Sequence, residues 1–153
     1  MQPLGSWQDV TKILAETVPV AERAIKQTVF YVKQYPGLND NPEGLSTLLA
    51  RLNVCVAELG ELQPIMERVK NWTDRRYEIE KSLAAMRVIE TGKAANYAKE
   101  AKYEALVKQD FLSKVVDSSS MYLRLQNARS TARDTTEALR SRISQIKGAQ
   151  RSS

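Results

Sequence analysis

The sequence predicts an all-α protein, in which an N-terminal helical hairpin is followed by long helices that oligomerise through a heptad seam near the C-terminus. Glycine and proline are sparse, at 6 and 5 of 153 residues. Residues that lose little rotamer freedom in a helix, such as Ala, Leu, Glu, Lys and Arg, are plentiful. The aromatic share of 7% is low for a compact monomer and favours cores completed by other subunits. We expect one structural unit, with the hairpin over residues 1–60 and a long-helix basic and oligomerisation region over 61–153.

The hairpin is predicted from two helical segments and a loop. Ser6 or Asp9 is placed to cap a short first helix that ends near Thr17. Pro19 is expected to interrupt this helix before residues 20–35 resume it. The segment PGLNDNP, residues 36–42, is rich in turn-forming residues. An apolar stripe then predicts the second arm of the hairpin, and its members are Leu45, Leu48, Leu49, Leu52, Val56 and Leu59.

The remaining chain reads as further helices separated by breaks. Gly60 and Pro64 predict a break or kink, and the next helix carries apolar residues from Ile65 to Met86 at helical spacing, with Trp72 expected in its core. The segment TGK, residues 91–93, is a weak break. The segment DSSS, residues 117–120, is expected to cap a final helix that runs from about Met121 to about Lys147 and is followed by a frayed tail.

Composition excludes several classes of function. The chain has no histidine, which removes the commonest general base and metal ligand. Cys55 is the single cysteine, so neither an internal disulfide nor a cysteine metal cluster is expected, and beside an apolar stripe it reads as a buried, inert thiol, with a reactive thiol as the alternative. The N-terminus predicts no secretory signal and no stretch predicts a membrane span, so we expect a cytoplasmic protein without metal or cofactor.

The sequence favours a non-enzymatic protein. Glu78 and Glu80 are two residues apart and so face different sides of a helix. The TGK segment lacks the upstream glycine of a phosphate-binding loop. No acid–base pair is brought together by local spacing.

Positive charge is concentrated near the C-terminus. Residues 111–153 contain eight Lys or Arg and three acids, so this segment carries the whole net charge of +5, while residues 1–110 are neutral. Leu125, Ala132, Leu139 and Ile146 recur every seven residues, and Arg133, Arg140 and Lys147 occupy the following position. A strict seven-residue repeat is typical of a coiled-coil seam. The adjoining basic row has two interpretations: it pairs with acids of a partner helix, or it binds a polyanion.

A second basic patch lies in NYAKEAKYEAL, residues 96–106. Lysines and tyrosines are mixed there, as in proteins that track a single strand and stack its bases. Glu100 and Glu104 are interspersed with Lys99 and Lys102, so an ion-paired, solvated helix face is the alternative.

The second half of the chain, about residues 70–147, resembles the UvsY-type recombination mediators of T-even and related phages. The resemblance lies in YAKEAKYEALV, Asp110, the Val115–Asp117 step, SSSMYLRL with its aromatic residue, and EALRSRI with the triplet Arg140–Ser141–Arg142. It implies an oligomeric ring of helical subunits that binds single-stranded DNA and loads a strand-exchange recombinase onto strands coated by single-strand-binding protein. For a phage protein, the compartment would be the host cytoplasm.

The charge pattern and the resemblance together define the predicted site. The resemblance marks Arg140 and Arg142, with Lys99 and Lys102, as DNA contacts. The full set of predicted nucleic-acid-binding residues is Arg129, Arg133, Arg140, Arg142, Lys147, Arg151, Lys99, Lys102 and Tyr122. The predicted oligomer interface consists of Leu125, Ala132, Leu139, Ile143 and Ile146. The alternative function is a helical interaction factor, such as a phage assembly protein or an inhibitor of a host system, that binds an acidic protein.

Overall fold

The computed structural model describes residues 3–90 and 109–152, and the prediction of an all-α protein is confirmed. Three α-helices account for most of this part of the chain: α1 (Trp7–Gln34), α2 (Pro42–Glu90) and α3 (Gln109–Ser152), with a 3-10 turn at Tyr35–Leu38. No strand occurs among the described residues. No helix in the described ranges is long and apolar enough to cross a membrane.

The ends of α1 and α2 are set by local polar contacts. Ser6 Oγ accepts a hydrogen bond from the Asp9 amide at 3.2 Å, and the Asp9 carboxylate accepts one from the Ser6 amide at 3.1 Å, so the predicted capping residues are confirmed. The Gly5 backbone amide is the main cause that lowers the pKa of Asp9. At α2, Asn41 accepts a hydrogen bond from the Gly44 amide at 3.2 Å, and Pro42 occupies the first helical position, where its missing N–H is not needed.

The turn between α1 and α2 confirms the loop predicted over residues 36–42. Asn39 has a positive φ of 50° with a ψ of −123°, a combination that residues with a side chain rarely adopt. The reversal of the chain at this residue makes α1 and α2 the two arms of a hairpin.

Three predicted helix boundaries are wrong, and so is the break among the two alternatives, break or kink, predicted at Gly60 and Pro64. Pro19 lies inside α1, and Pro64 lies inside α2 together with Gly60. Both prolines are exposed, so the steric and hydrogen-bonding defect of each ring faces water. The segment Asp117–Ser120 does not begin the last helix, because α3 already starts at Gln109, and the predicted frayed tail is helical to Ser152. Gly92 lies outside the described residues.

The chain divides into two compact units that do not follow the predicted division at residue 60. The first contains the described parts of Met1–Glu16 and Ile65–Tyr122, and the second contains Thr17–Pro64 with Leu123–Ser153. Each unit therefore combines residues from both sides of the predicted division.

The first unit has a small core with aromatic side chains at its edge. Val10, Ile13 and Val69 are buried, and Trp72 packs against them, as expected for this tryptophan. The Trp7 ring meets Trp72 edge to face at 5.2 Å and stacks on Phe111 at 4.2 Å.

The second unit is a bundle of three helical segments. Its core consists of Leu45, Leu48 and Leu52 of α2 with Ala132 and Leu139 of α3, and partly buried residues of α1 complete it. The apolar stripe predicted for α2 is thus confirmed. Two buried hydroxyl groups donate to carbonyls of their own helices, Thr28 to Ala24 and Thr136 to Arg133, each at 2.7 Å.

Candidate nucleic-acid interface

Most of the heptad row of α3 is buried, and Ala132 and Leu139 share a core cluster with leucines of α2 in the same chain. Leu125, Ala132 and Leu139 have no exposed surface. Ile143 and Ile146 are partly buried against the same core cluster. The seven-residue repeat therefore correctly indicated a seam that packs on another helix.

The assignment of this seam to an oligomer interface needs correction. Leu125, Ala132 and Leu139 are already covered within one chain, so they have no surface left for a second subunit. The reason is that the sequence pattern specifies an apolar face but not which helix covers it. Ile143 and Ile146 keep part of their surface, and oligomerisation stays a prediction.

A row of cations on α3 lies beside the buried seam, and we call Arg133, Arg140, Lys147 and Arg151 the basic stripe. All four side chains are exposed. At a rise of about 1.5 Å per residue, the stripe is about 27 Å long. Within the described part of the chain, none of the four forms an ion pair. The positive charge of the stripe is therefore not cancelled by a described carboxylate.

Two arginines of α3 contact α2 through neutral amide groups. Arg140 Nη2 donates to Asn53 Oδ1 at 3.2 Å. Arg129 Nη1 approaches Gln63 Oε1 at 3.4 Å, a long hydrogen bond. These contacts make α2 and α3 antiparallel, because the lower-numbered arginine meets the higher-numbered amide.

Gly60 makes room for the guanidinium of Arg129. A Cβ atom at Gly60 would lie 2.9 Å from Arg129 Nη2 and 3.1 Å from Arg129 Cζ. Arg129 Nε is buried and has no hydrogen-bond partner among the described residues. Gly60, expected from the sequence to mark a break or kink, is therefore a close-packing position inside α2.

Two other arginines of α3 are neutralised by carboxylates of the same unit. Arg124 donates to both carboxylate oxygens of Glu22 at 2.6 and 2.9 Å, and this contact lowers the pKa of Glu22. Arg142 Nε donates to Asp40 Oδ1 at 2.8 Å, and its guanidinium forms an ion pair with that carboxylate. Of the two arginines that the resemblance marks as DNA contacts, Arg142 is therefore bound to an acid and Arg140 is not.

The other predicted contacts do not join the stripe. Tyr122 is half-buried and belongs to the first unit. Lys99 and Lys102, with the rest of the second basic patch, lie outside the described residues.

Sequence reasoning missed the residues that α2 contributes. Asn53 and Gln63 carry no local signal, since a polar residue on an exposed helix face is ordinary. The contact of Asn53 could be predicted only by pairing the two apolar stripes in antiparallel orientation. That pairing requires the register between α2 and α3, which the sequence does not specify.

Acidic and cysteine side chains are the metal-ligating candidates in this chain, which has no histidine. No group of three or more acidic or cysteine side chains that could hold a metal occurs within it. Cys55 is buried, and burial is the main cause that raises the pKa of its thiol. This agrees with the interpretation of an inert thiol, since the thiolate is the reactive form.

Comparison with known proteins gives no relative for this chain. No family model matches the sequence, and neither curated proteins nor solved structures give a significant match.

Proposed function

We propose that this chain is a non-enzymatic nucleic-acid-binding protein that acts on single-stranded DNA as a mediator of recombination or repair, in the form of a helical oligomer. The observation that carries the proposal is the basic stripe: Arg133, Arg140, Lys147 and Arg151 line one face of α3 without an ion pair to a described carboxylate. Arg124 and Arg142 on the same helix are paired. The contrast supports a polyanionic ligand over internal salt bridges.

The mechanism is electrostatic tracking of the phosphate backbone. Each phosphate neutralised by Lys or Arg releases condensed counterions, and this release drives association. Four cations along about 27 Å of helix supply modest affinity in one chain. Several copies on one strand would multiply it, because each further contact is intramolecular once the first has formed.

Single-stranded DNA and recombination are the parts of the proposal that rest on the resemblance to UvsY-type mediators. The stripe itself supports an anionic ligand, and a phosphate chain is one such ligand. The residue of the stripe that falls in a segment resembling that family is Arg140, in EALRSRI. Arg140 forms no ion pair among the described residues.

A triple charge reversal tests the proposal. We expect Arg133→Glu, Arg140→Glu and Lys147→Glu together to weaken binding of a labelled oligothymidylate by at least about 100-fold at about 50 mM salt, since three favourable contacts become repulsive. Fluorescence anisotropy measures the affinity, and circular dichroism checks that the variant is folded. Unchanged affinity in the folded variant would contradict the proposal.

A second triple variant is the matched control. Arg23→Glu, Lys26→Glu and Lys33→Glu change exposed side chains of α1. Each reversal removes two units of charge, so both triple variants move the net charge of +5 by the same amount. We expect the α1 variant to lose much less affinity, because the Debye length of about 10 Å at 0.1 M salt limits the effect of distant charges.

The salt dependence of wild-type binding adds a quantitative check. Four phosphate contacts to a single strand predict a slope of about −3 for log affinity against log salt per chain. Duplex DNA and RNA of equal length, measured in parallel, determine the preferred nucleic acid. Recombinase loading is tested separately, by whether the protein speeds recombinase assembly on strands coated with single-strand-binding protein.

The second candidate is a helical interaction factor whose stripe binds an acidic protein. Val54, on the outer face of α2, is 59% exposed. A protein helix gains from covering such a side chain, whereas a phosphate chain does not. Absence of nucleic-acid binding at about 50 mM salt would favour this candidate.

A further inference from the structure

The basic stripe runs along the groove between α2 and α3 rather than along an isolated helix face. Arg140 reaches Asn53 of α2 at 3.2 Å, and Arg129 lies over Gly60 near Gln63. Arg133 lies between these two arginines on the same face, four residues after the first and seven before the second. The edge of α2 is therefore the second wall of the surface on which a ligand of the stripe would lie.

That edge of α2 carries small, uncharged side chains. The residues that recur there at helical spacing are Ser46, Ala50, Asn53, Ala57 and Gly60. None of them is charged or aromatic. Glu58 and Glu61, the acids of this segment, instead line a depression on the α1 side together with Val20 and Arg23. Acids return only at the far end, where Asp40 holds Arg142 and Glu43 occupies the first turn of α2.

We infer that the groove between α2 and α3 is a track for a phosphodiester backbone, with Asn53 as the residue that positions Arg140. This inference rests on the proposed function and assigns to α2 a part in the same site. The small side chains of α2 let the phosphate chain approach the helix, and the cations of α3 supply the attraction.

The chemistry of Asn53 explains why an amide suits this position. A guanidinium has five N–H donors in a rigid fork. The amide oxygen of Asn53 accepts from Nη2 and leaves both the full positive charge and the other donors for a phosphate. A carboxylate at the same place would cancel the charge, as Glu22 does for Arg124.

Both walls of the groove lack aromatic side chains, and this determines whether the groove can recognise bases. Base recognition in single strands relies on aromatic side chains that stack on bases. Neither this edge of α2 nor the basic stripe contains an aromatic side chain. The track therefore contacts phosphates and is indifferent to base identity.

A pair of Asn→Asp variants tests the positioning role. Asn53→Asp places a carboxylate against Arg140, whereas Asn127→Asp adds the same charge in the other groove, where Asn127 lies with Ala128 and Thr131. We expect Asn53→Asp to weaken binding of oligothymidylate by about 5- to 10-fold and to make the salt slope shallower by about 0.7 to 1. Asn127→Asp is expected to change the affinity by less than about twofold.

A third variant separates position from charge. Asn53→Ala removes the amide without adding a carboxylate, so Arg140 keeps its charge but loses its anchor. We expect a loss of about twofold with the salt slope unchanged. Thermal melts of all three variants, followed by circular dichroism, show whether each is folded.

Failure of this inference is distinguishable from failure of the proposed function. Suppose that the triple reversal of Arg133, Arg140 and Lys147 weakens binding. Equal affinities of the folded Asn53→Asp and Asn127→Asp variants would then overturn only the inference that α2 forms part of the site. An inert triple reversal would overturn the proposed function itself. Oligothymidylate, oligoadenylate and mixed sequence are expected to bind within about threefold of one another, and a preference above about tenfold would overturn a track that reads only phosphate.

Discussion

In the second unit, α3 has one groove towards α1 and another towards α2, and the arginines in these two grooves have chemically different partners. On the α1 side, Arg124 meets the carboxylate of Glu22 through two short hydrogen bonds of 2.6 and 2.9 Å. On the α2 side, Arg140 meets the amide of Asn53 at 3.2 Å. A carboxylate cancels the charge of a guanidinium, whereas an amide only orients it. The facing helix therefore decides whether a cation of α3 is a structural element or remains available to a ligand.

The α1 groove also differs in the character of its lining. It holds a cavity of about 370 Å³ lined mainly by apolar side chains, among them Ile25, Val29 and Val32 of α1 and Ala128 of α3, and Arg124 is also in the lining. The α2 groove is bordered by the basic stripe and by small neutral residues. One helix thus presents an apolar groove on one side and a cationic groove on the other.

The largest expected effect comes from removing the core that holds α2 beside α3. Leu139 is fully buried, and we expect Leu139→Ala to lower the free energy of unfolding by about 2–5 kcal/mol through lost burial and a residual cavity. Chemical denaturation followed by circular dichroism measures this change. Leu123→Ala, at a position that is 55% exposed, is the matched control, and an equal loss in the two variants would argue against the observed packing.

A smaller effect is expected at Gly60 in the α2 groove. Gly60→Ala gains up to about 1 kcal/mol of helix propensity but pushes the Arg129 guanidinium out of its place, since the new Cβ would lie 2.9 Å from Nη2. We expect Gly60→Ala to raise the free energy of unfolding by less than about 1 kcal/mol.

The same substitution in an Arg129→Ala background completes a double-mutant cycle. There the obstacle is absent, so Gly60→Ala should give the full gain of about 1 kcal/mol. Additive effects of the two substitutions would show that Gly60 and Arg129 do not interact.

The smallest effect is expected from the ion pair of the α1 groove. Both partners are exposed, with 44% and 39% of the side-chain surface of Arg124 and Glu22 accessible, and exposed pairs contribute little. We expect Glu22→Gln to destabilise the protein slightly at neutral pH. The substitution also leaves Arg124 without its carboxylate partner, as the cations of the basic stripe are.

The pH dependence of this variant has a definite sign. Arg124 lowers the pKa of Glu22 below its ordinary value of 4.5, so the pair stabilises the fold above that value and is lost as the pH falls through the lowered pKa. The difference in unfolding free energy between wild type and Glu22→Gln should be constant above about pH 5.5 and shrink below about pH 4.5. A difference that grows on acidification would contradict the ion pair.

Most of the fold was predictable because helix formation and amphipathicity depend on neighbouring residues. The capping of α1 by Ser6 and Asp9, the loop before Pro42 and the leucine stripe of α2 were all read from short segments. The breaks expected at the prolines were wrong, because a local rule predicts the defect that a proline causes and not whether that defect faces water, as it does at both exposed prolines. Pro19 and Pro64 interrupt neither helix, and both lie within two residues of a division between the compact units.

The candidate site was only half predictable. The sequence alone determined that α3 has an apolar row with cations beside it, since both follow from the seven-residue repeat. Only the tertiary structure decided that this row is covered within the same chain, and that Arg124 and Arg142 are neutralised while Arg140 is not. The partners of these arginines are 87 to 102 residues away in the chain. The charge left for a ligand depends on the register between helices, which no local pattern specifies.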